Sequence, residues 1–195
     1  ILRSSRVHAR IVRIDTSRAK ALPGVHAVLT ATDVPYQRPL GIVAKDHLPL
    51  KGDKVRSLRD EIAAVAADTV EIAEQALALI DVEYEDLPVV VDVRAALAPG
   101  APAVHASHPD NVTTTWDYAQ GDIVQGEAES DVVIEDAFRL HYVTHCCMGV
   151  SGIIADFDAS GNLTLWSNTQ VPFLHKREFA QLLDIDPARI RIIQP

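Results

Sequence analysis

The stretch from Asp60 to Pro88 constrains the fold more than any other part of the chain. Glu61-Ile62-Ala63-Ala64-Val65-Ala66-Ala67 is a compact apolar run bounded by Asp60 and Asp68, and its length and flanks predict a buried strand. Thr69 then stands where an N-cap belongs. Behind it Val70, Ala73, Ala76, Leu77 and Ile80 recur at three- and four-residue spacing, which predicts an amphipathic helix. Glu71 and Glu74 fall in its first turns, where the helix dipole favours anions. Asp81-Val82-Glu83-Tyr84-Glu85 alternates as a half-buried strand should, and Leu87-Pro88 ends it. Strand, helix and strand in succession point to an α+β fold.

The flanking sequence extends this unit. Residues 10–15 alternate polar and apolar as a strand. Thr16 or Ser17 can open a short helix through Leu22, stopped by Pro23-Gly24, and Val25–Thr30 is a second strand. Thr32-Asp33-Val34 predicts a helical turn stopped by Pro35, and residues 36–54 predict an irregular surface loop. From Leu97 to Asp110 proline and small residues dominate, which disfavours helix and central strand alike. The chain therefore divides into a unit over residues 1–97, a connector over 98–110, and a second unit over 111–195.

In the second unit, Gly121-Asp122 precedes a short helix through Glu129, and Asp131–Cys147 has the residue pattern of a long strand. Gly152–Asp158 and Leu163–Asn168 form a hairpin around Ala159-Ser160-Gly161-Asn162. Val171–Leu183 reads as a helix with Pro172 in its first turn, and Asp186-Pro187 leads to a final strand over Ile190–Ile193.

Charge and motif content then narrow the function. With 27 Asp and Glu against 18 Lys and Arg, the 195-residue chain carries a net charge of −9, the wrong sign for a protein that neutralises a phosphate backbone. No apolar run approaches the length of a membrane span. The two cysteines, Cys146 and Cys147, are adjacent and form no disulfide framework, which suits a reducing cytoplasm. On a strand, His141, Val143, His145 and Cys147 would share one face; two imidazoles and a thiolate are zinc-type ligands by softness. Neighbouring ligands on one strand face lie about 7 Å apart, and no second ligand pair has zinc-site spacing, so no metal residue is assigned. A catalytic thiol is likewise outweighed by the ordinary burial of cysteine, and His105 and His108 fall in the connector as exposed residues. Glycine-rich phosphate loops and the nucleophile elbow G-x-S-x-G are absent from the sequence.

The order of the segments says more than any single motif. Ser5-Arg6-Val7-His8-Ala9-Arg10-Ile11 and Ala21-Leu22-Pro23-Gly24-Val25-His26-Ala27-Val28-Leu29-Thr30-Ala31-Thr32-Asp33-Val34-Pro35 are followed by Asp53-Lys54-Val55-Arg56, Glu61–Ala66 and Val82–Pro88. Gly121-Asp122, the segment from Val132, and Gly161-Asn162-Leu163-Thr164-Leu165-Trp166-Ser167-Asn168-Thr169-Gln170-Val171-Pro172 come next. In that order they resemble the large, molybdopterin-binding subunit of the molybdenum hydroxylases, the xanthine dehydrogenase, aldehyde oxidase and carbon monoxide dehydrogenase family. The resemblance implies an α/β hammerhead domain followed by the truncated start of the molybdopterin-binding domain.

It also implies a chemistry: a water-derived oxygen is inserted at an electron-poor carbon of a heterocycle or aldehyde while molybdenum accepts two electrons. The cofactor would be molybdopterin, in its plain or cytosine dinucleotide form. Iron–sulfur clusters and FAD would sit in partner subunits or domains, because two cysteines cannot supply a Cys₄ cluster. Gln170 matches the family's glutamine that lies beside molybdenum, which makes it the one candidate catalytic and cofactor-binding residue. Its residue type leaves a second reading open, as a cap for the following helix. Where the family often carries Glu-Pro, this chain has Gly149-Val150, so the substrate funnel differs and the substrate is not carried over. The chain starts Ile1-Leu2-Arg3 without Met and ends Ile192-Ile193-Gln194-Pro195. We therefore expect a fragment that is inactive alone and acts with the remainder of the subunit; the alternative is a scaffold module that kept the fold without the chemistry.

Overall fold

The computed structural model describes residues 1–34, 38–41 and 44–195. The chain opens with β1 (Leu2–Arg3), β2 (Ala9–Asp15), α1 (Ser17–Lys20) and β3 (Val25–Thr30), then continues through β4 (Lys54–Val55), β5 (Glu61–Ala67), α2 (Val70–Ala78) and β6 (Asp81–Asp86). The expected strands over 10–15, 25–30, 61–67 and 81–85 are all present, as is the helix opened by Thr69, whose Oγ1 accepts from the Ile72 amide at 3.3 Å. The expected helical turn at 32–34 is a turn over Ala31–Asp33, and its stop at Pro35 lies outside the described residues.

The strand pairing could not be read from succession. The strands form two antiparallel three-stranded sheets, in the orders β1-β5-β3 and β4-β2-β6. β5 and β6, consecutive around α2, therefore belong to different sheets, and α2 is no parallel crossover. Ile62, Val55, Ala9 and Ile11 bury one side of the core; Ala19, Val28, Ala63, Ala76 and Ile80 bury the other. Leu2, Ile14 and Val82 pack against both clusters. Alanine at three fully buried positions, one each in α1, β5 and α2, lets those backbones approach closely. Gly24 makes the turn between α1 and β3 at φ +85°, where a Cβ would stand 2.8 Å from Ile72 Cδ1.

The connector is tied down rather than loose. α3 (Val93–Ala96), which the sequence pattern did not predict, is capped by Asp92, whose carboxylate accepts from the Ala95 amide at 2.9 Å. Asn111, at φ +58°, closes the following loop. Its Oδ1 accepts from Val104 N at 2.9 Å, and its Nδ2 donates to the carbonyls of Ala96 and Pro102 at 3.0 and 3.1 Å. Lys54 Nζ donates to the Val104 carbonyl at 3.2 Å, fastening the loop to β4.

After the connector the expected helix is present as α4 (Ile123–Glu129), capped by Asp122. The expected strand over Asp131–Cys147 is not. No regular secondary structure forms there, and Val132, Ile134, Phe138, Leu140 and Tyr142 are exposed. The alternating pattern is present, but a strand also needs a ladder partner, and among the described residues no backbone pairs with this segment.

The last unit is compact: β7 (Ile153–Phe157), β8 (Leu163–Ser167), α5 (Pro172–Leu183), a 3₁₀ turn at Pro187–Arg189 and β9 (Ile190–Ile193). β7 and β8 are the expected hairpin; β8 and β9 run parallel, joined across α5. Leu163, Leu165, Ala180 and Ile190 form its core, with Phe179, Ile185 and Ile192 packed against them. Arg38 donates to the Asp184 carboxylate at 3.2 Å, linking the N-terminal unit to the end of α5.

Asp158 builds the hairpin turn. Its Oδ1 accepts from the Ser160 and Asn162 amides and its Oδ2 from the Asn162 side chain, each at 2.8 Å. The backbone hydrogen bond from Asn162, followed by that from its side chain, holds the carboxyl below its ordinary value of 3.8. With the folded value lowered, this contribution is complete above the unfolded value and lost as pH falls through the folded one. Asp158→Ala is expected to remove that acid dependence and speed amide exchange at Ser160 and Asn162. Equal protection of both amides in the variant and the native protein at pH 6 would show that the carboxylate does not hold the turn.

Candidate functional site

The β8–α5–β9 unit places its loops where α/β proteins bind ligands, at the carboxyl ends of parallel strands. β8 ends at Ser167, and Trp166 pairs with Ile193 at the end of β9. Residues 168–171 and the chain after Ile193 therefore leave the sheet at the same edge. Within the loop, Thr169 is buried; its amide donates to the Ser167 carbonyl at 2.9 Å and its Oγ1 accepts from Val171 N at 3.1 Å. These bonds fix the main chain on both sides of Gln170. Gln170 itself is exposed, and its amide has no hydrogen-bond partner among the described residues.

The capping alternative for Gln170 fails. The N-cap of α5 is Val171, no side chain caps the helix, and Pro172 stands in its first turn, where a missing N–H costs little. What remains is an uncharged amide with two N–H donors, fixed by its backbone and unpaired. The loop Ser167-Asn168-Thr169-Gln170-Val171 contains no His, Cys or carboxylate. Its donor set fits hydrogen bonding to the oxygen periphery of a bound cofactor, and it does not fit direct metal ligation.

A second strand-end contact was not anticipated from sequence. Asn168 Oδ1 accepts from Gly152 N at 3.2 Å, and its Nδ2 donates to the Val150 carbonyl at 3.3 Å. The one available signal was an Asn just past the end of a hairpin strand, opposite the glycine-flanked lead-in Gly149-Val150-Ser151-Gly152.

The other candidates are not brought together. His141, His145 and Cys147 lie on the exposed 131–150 segment, where period-two geometry no longer applies, and Cys146 takes a positive φ of 47°. Among the described residues no three His, Cys, Asp or Glu side chains are grouped closely enough to hold a metal ion. His108 is half-buried, and His105 likewise departs from the expectation of an exposed residue. It is half-buried, 3.6 Å from Asp46, with its ring 6.5 Å from that of His108. Burial, partly opposed by Asp46, lowers its pKa and so favours the neutral ring. No helix among the described residues is long and apolar enough to cross a membrane.

Comparison with known proteins gives the same architecture. Residues 1–88 match the family model "Aldehyde oxidase and xanthine dehydrogenase, a/b hammerhead domain", and residues 104–195 match "Molybdopterin cofactor-binding domain". The chain is 36% identical over its full length to the nicotinate dehydrogenase large molybdopterin subunit of Eubacterium barkeri, of which it covers 45%. It is 34% identical, again over its full length, to the carbon monoxide dehydrogenase large chain of Afipia carboxidovorans, covering 26% of that protein. The crystal structure of quinoline 2-oxidoreductase from Pseudomonas putida 86 superposes over the whole chain with a TM-score of 0.88 at 32% identity, with 26% of that chain covered. The chain thus spans less than half the length of these relatives. Two domain models in the family's order, met by full-length similarity and a common fold, show that the chain belongs to the molybdenum hydroxylases of xanthine dehydrogenase and aldehyde oxidase type, with their hammerhead domain followed by the start of their molybdopterin-binding domain.

Proposed function

We propose that the chain is part of a molybdopterin-binding large subunit in which Gln170 contacts the cofactor. The hammerhead domain spans residues 1–97, residues 98–110 connect, and residues 111–195 open the cofactor-binding domain. The carrying observation is the unpaired Gln170 amide, held by Thr169 at the carboxyl edge of β8 and β9. When bound, the molybdenum cofactor supplies the two-electron acceptor for inserting water-derived oxygen at an electron-poor carbon of a heterocycle or aldehyde. Gln170 would hold that group by donating from its side-chain amide, which neither ligates the metal nor changes the charge of the site.

The loop around Gln170 carries no carboxylate or imidazole able to take a proton. General-base catalysis needs such a group within hydrogen-bond reach; the family resemblance implies that it lies in the remainder of the subunit, and we expect these 195 residues to be inactive alone. Iron–sulfur and flavin components in partner subunits or domains would carry the electrons onward. The test is metal analysis of the full-length subunit expressed with ample molybdate. Molybdenum near one per subunit is expected; a folded subunit without it would overturn the reading and favour the scaffold alternative.

A further inference from the structure

We propose that the N-terminal domain carries an oxyanion site built from Arg3 of β1 and Arg59 of the turn before β5, and that it takes a small phosphate-type anion. None of its residues belongs to the Gln170 loop, so the proposal stands apart from the cofactor reading.

Arg3, His47, Ser57, Arg59, Asp60 and Glu61 line a polar concavity at the start of β5. Its two carboxylates are already engaged. Asp60 Oδ2 accepts from the Arg56 and Ser57 amides at 2.8 and 3.2 Å. Glu61 Oε1 meets Arg3 Nη1 at 2.5 Å, while its Oε2 lies 3.5 Å from His47 Nε2 and 3.6 Å from Lys51 Nζ. Lys51 stands behind this group with its side chain only 5% exposed, and its Nζ donates to the Leu48 carbonyl at 2.6 Å. Arg3, Lys51 and Arg59 thus set three positive charges against two carboxylates, in a chain whose net charge is −9.

The surplus is in donors. Arg3 makes its two side-chain hydrogen bonds through Nη1 alone, to Glu61 and to the Arg59 carbonyl, so its Nη2 and Nε meet no acceptor among the described residues. The Arg59 guanidinium has no hydrogen-bond or ion-pair partner among them. A guanidinium presents its N–H groups as a planar fork that matches two oxygens of one anion. A carboxylate has two oxygens and fills one fork, whereas a tetrahedral oxyanion has an edge for each of two.

Arg59 also holds its position against its own backbone. Its φ is +73°, a conformation that favours glycine. The turn imposes it: Arg59 N donates to the Ser4 carbonyl at 3.2 Å, Ser4 N to the Asp60 carbonyl at 2.8 Å, and Arg3 Nη1 to the Arg59 carbonyl at 2.9 Å. Glycine would satisfy the same main-chain bonds with less strain. What arginine adds at this position is its side chain, aimed from a fixed turn into a concavity that already lacks acceptors.

The test is equilibrium dialysis of the full-length subunit against radiolabelled inorganic phosphate, at constant ionic strength set with chloride. Saturable binding of one phosphate is expected, with a Kd of about 1 mM, typical of a small anion at an open site. Arg59→Gly is expected to weaken it at least tenfold while leaving the thermal midpoint equal or higher, because glycine suits the turn. Arg59→Lys, which keeps the charge without the fork, is expected to weaken it three- to tenfold, and Gln170→Ala is expected to bind phosphate as the native subunit does. The proposal is overturned if the native subunit shows no saturable binding, or if Arg59→Gly or Arg59→Lys binds with native affinity. A loss of binding in Gln170→Ala would also overturn it, by placing the phosphate at the other domain. Acetate competing as well as phosphate would overturn the preference for a tetrahedral anion.

Discussion

Ile62→Ala is expected to lower the unfolding free energy of the chain by about 3–4 kcal/mol, the range for emptying a fully buried aliphatic site that cannot collapse. Ile62 is 0% exposed on β5, the central strand of its sheet, and it packs with Ala9, Ile11 and Val55 of the other sheet. It is therefore, with Leu2, Ile14 and Val82, one of the side chains through which the two sheets of the hammerhead domain share a core. The surrounding residues are too small, or too firmly held in ladders, to move into the space left behind. With a urea m-value of about 2 kcal/mol/M, the midpoint should fall by roughly 1.5–2 M, read by far-UV circular dichroism. Ile62→Val should cost only about 1 kcal/mol, and Leu58→Ala, at a 56% exposed position, should stay within about 0.5 kcal/mol. A midpoint shift below about 0.5 M for Ile62→Ala would show that the sheets are not joined through this residue.

That core explains what the sequence could and could not disclose. β5 was readable because Asp60 and Asp68 mark both ends of an apolar run, and α2 because Thr69 caps a periodic helix. The β7–β8 hairpin is readable because Ala159-Ser160-Gly161-Asn162 is turn chemistry between two β-rich runs, although the hold of Asp158 on that turn is not. All of these are local signals. The pairing of β5 with β1 and β3 instead of β6 is set by burial between distant segments, and no local pattern encodes it. The same limit produced the strand expected over Asp131–Cys147: alternation sets which faces are apolar, while the ladder partner must come from elsewhere. Asn111 and Asn168 are not legible in the sequence because each acts through carbonyls and amides 7 to 18 residues away. Gln170 stood out only through the family resemblance; by residue type it was equally a helix cap, and it took the geometry of Val171 and Thr169 to remove that reading.

Gln170→Ala in the full-length, molybdenum-loaded enzyme is expected to lower kcat about 100-fold, equivalent to about 2.7 kcal/mol, the usual loss for one preorganised donor at a reacting centre. The structure argues that folding will not account for this loss. Gln170 is exposed and its amide unpaired among the described residues, while the loop is held by Thr169 and by Asn168 on either side of the strand end. Removing an exposed, unpartnered side chain changes stability by no more than about 0.5 kcal/mol. Molybdenum content and thermal midpoint should therefore match the native protein, and KM should stay within threefold. Gln170→Glu separates shape from hydrogen bonding. It preserves length and branching but replaces the N–H donors with a carboxylate that only accepts at neutral pH, so its kcat should fall at least as far. A glutamate variant near native activity would mean that Gln170 fills space without donating, and an alanine variant within threefold of native kcat would return it to an ordinary loop residue. On the reading proposed above, in which the Gln170 amide donates to the cofactor, the loss in both variants would arise at that contact.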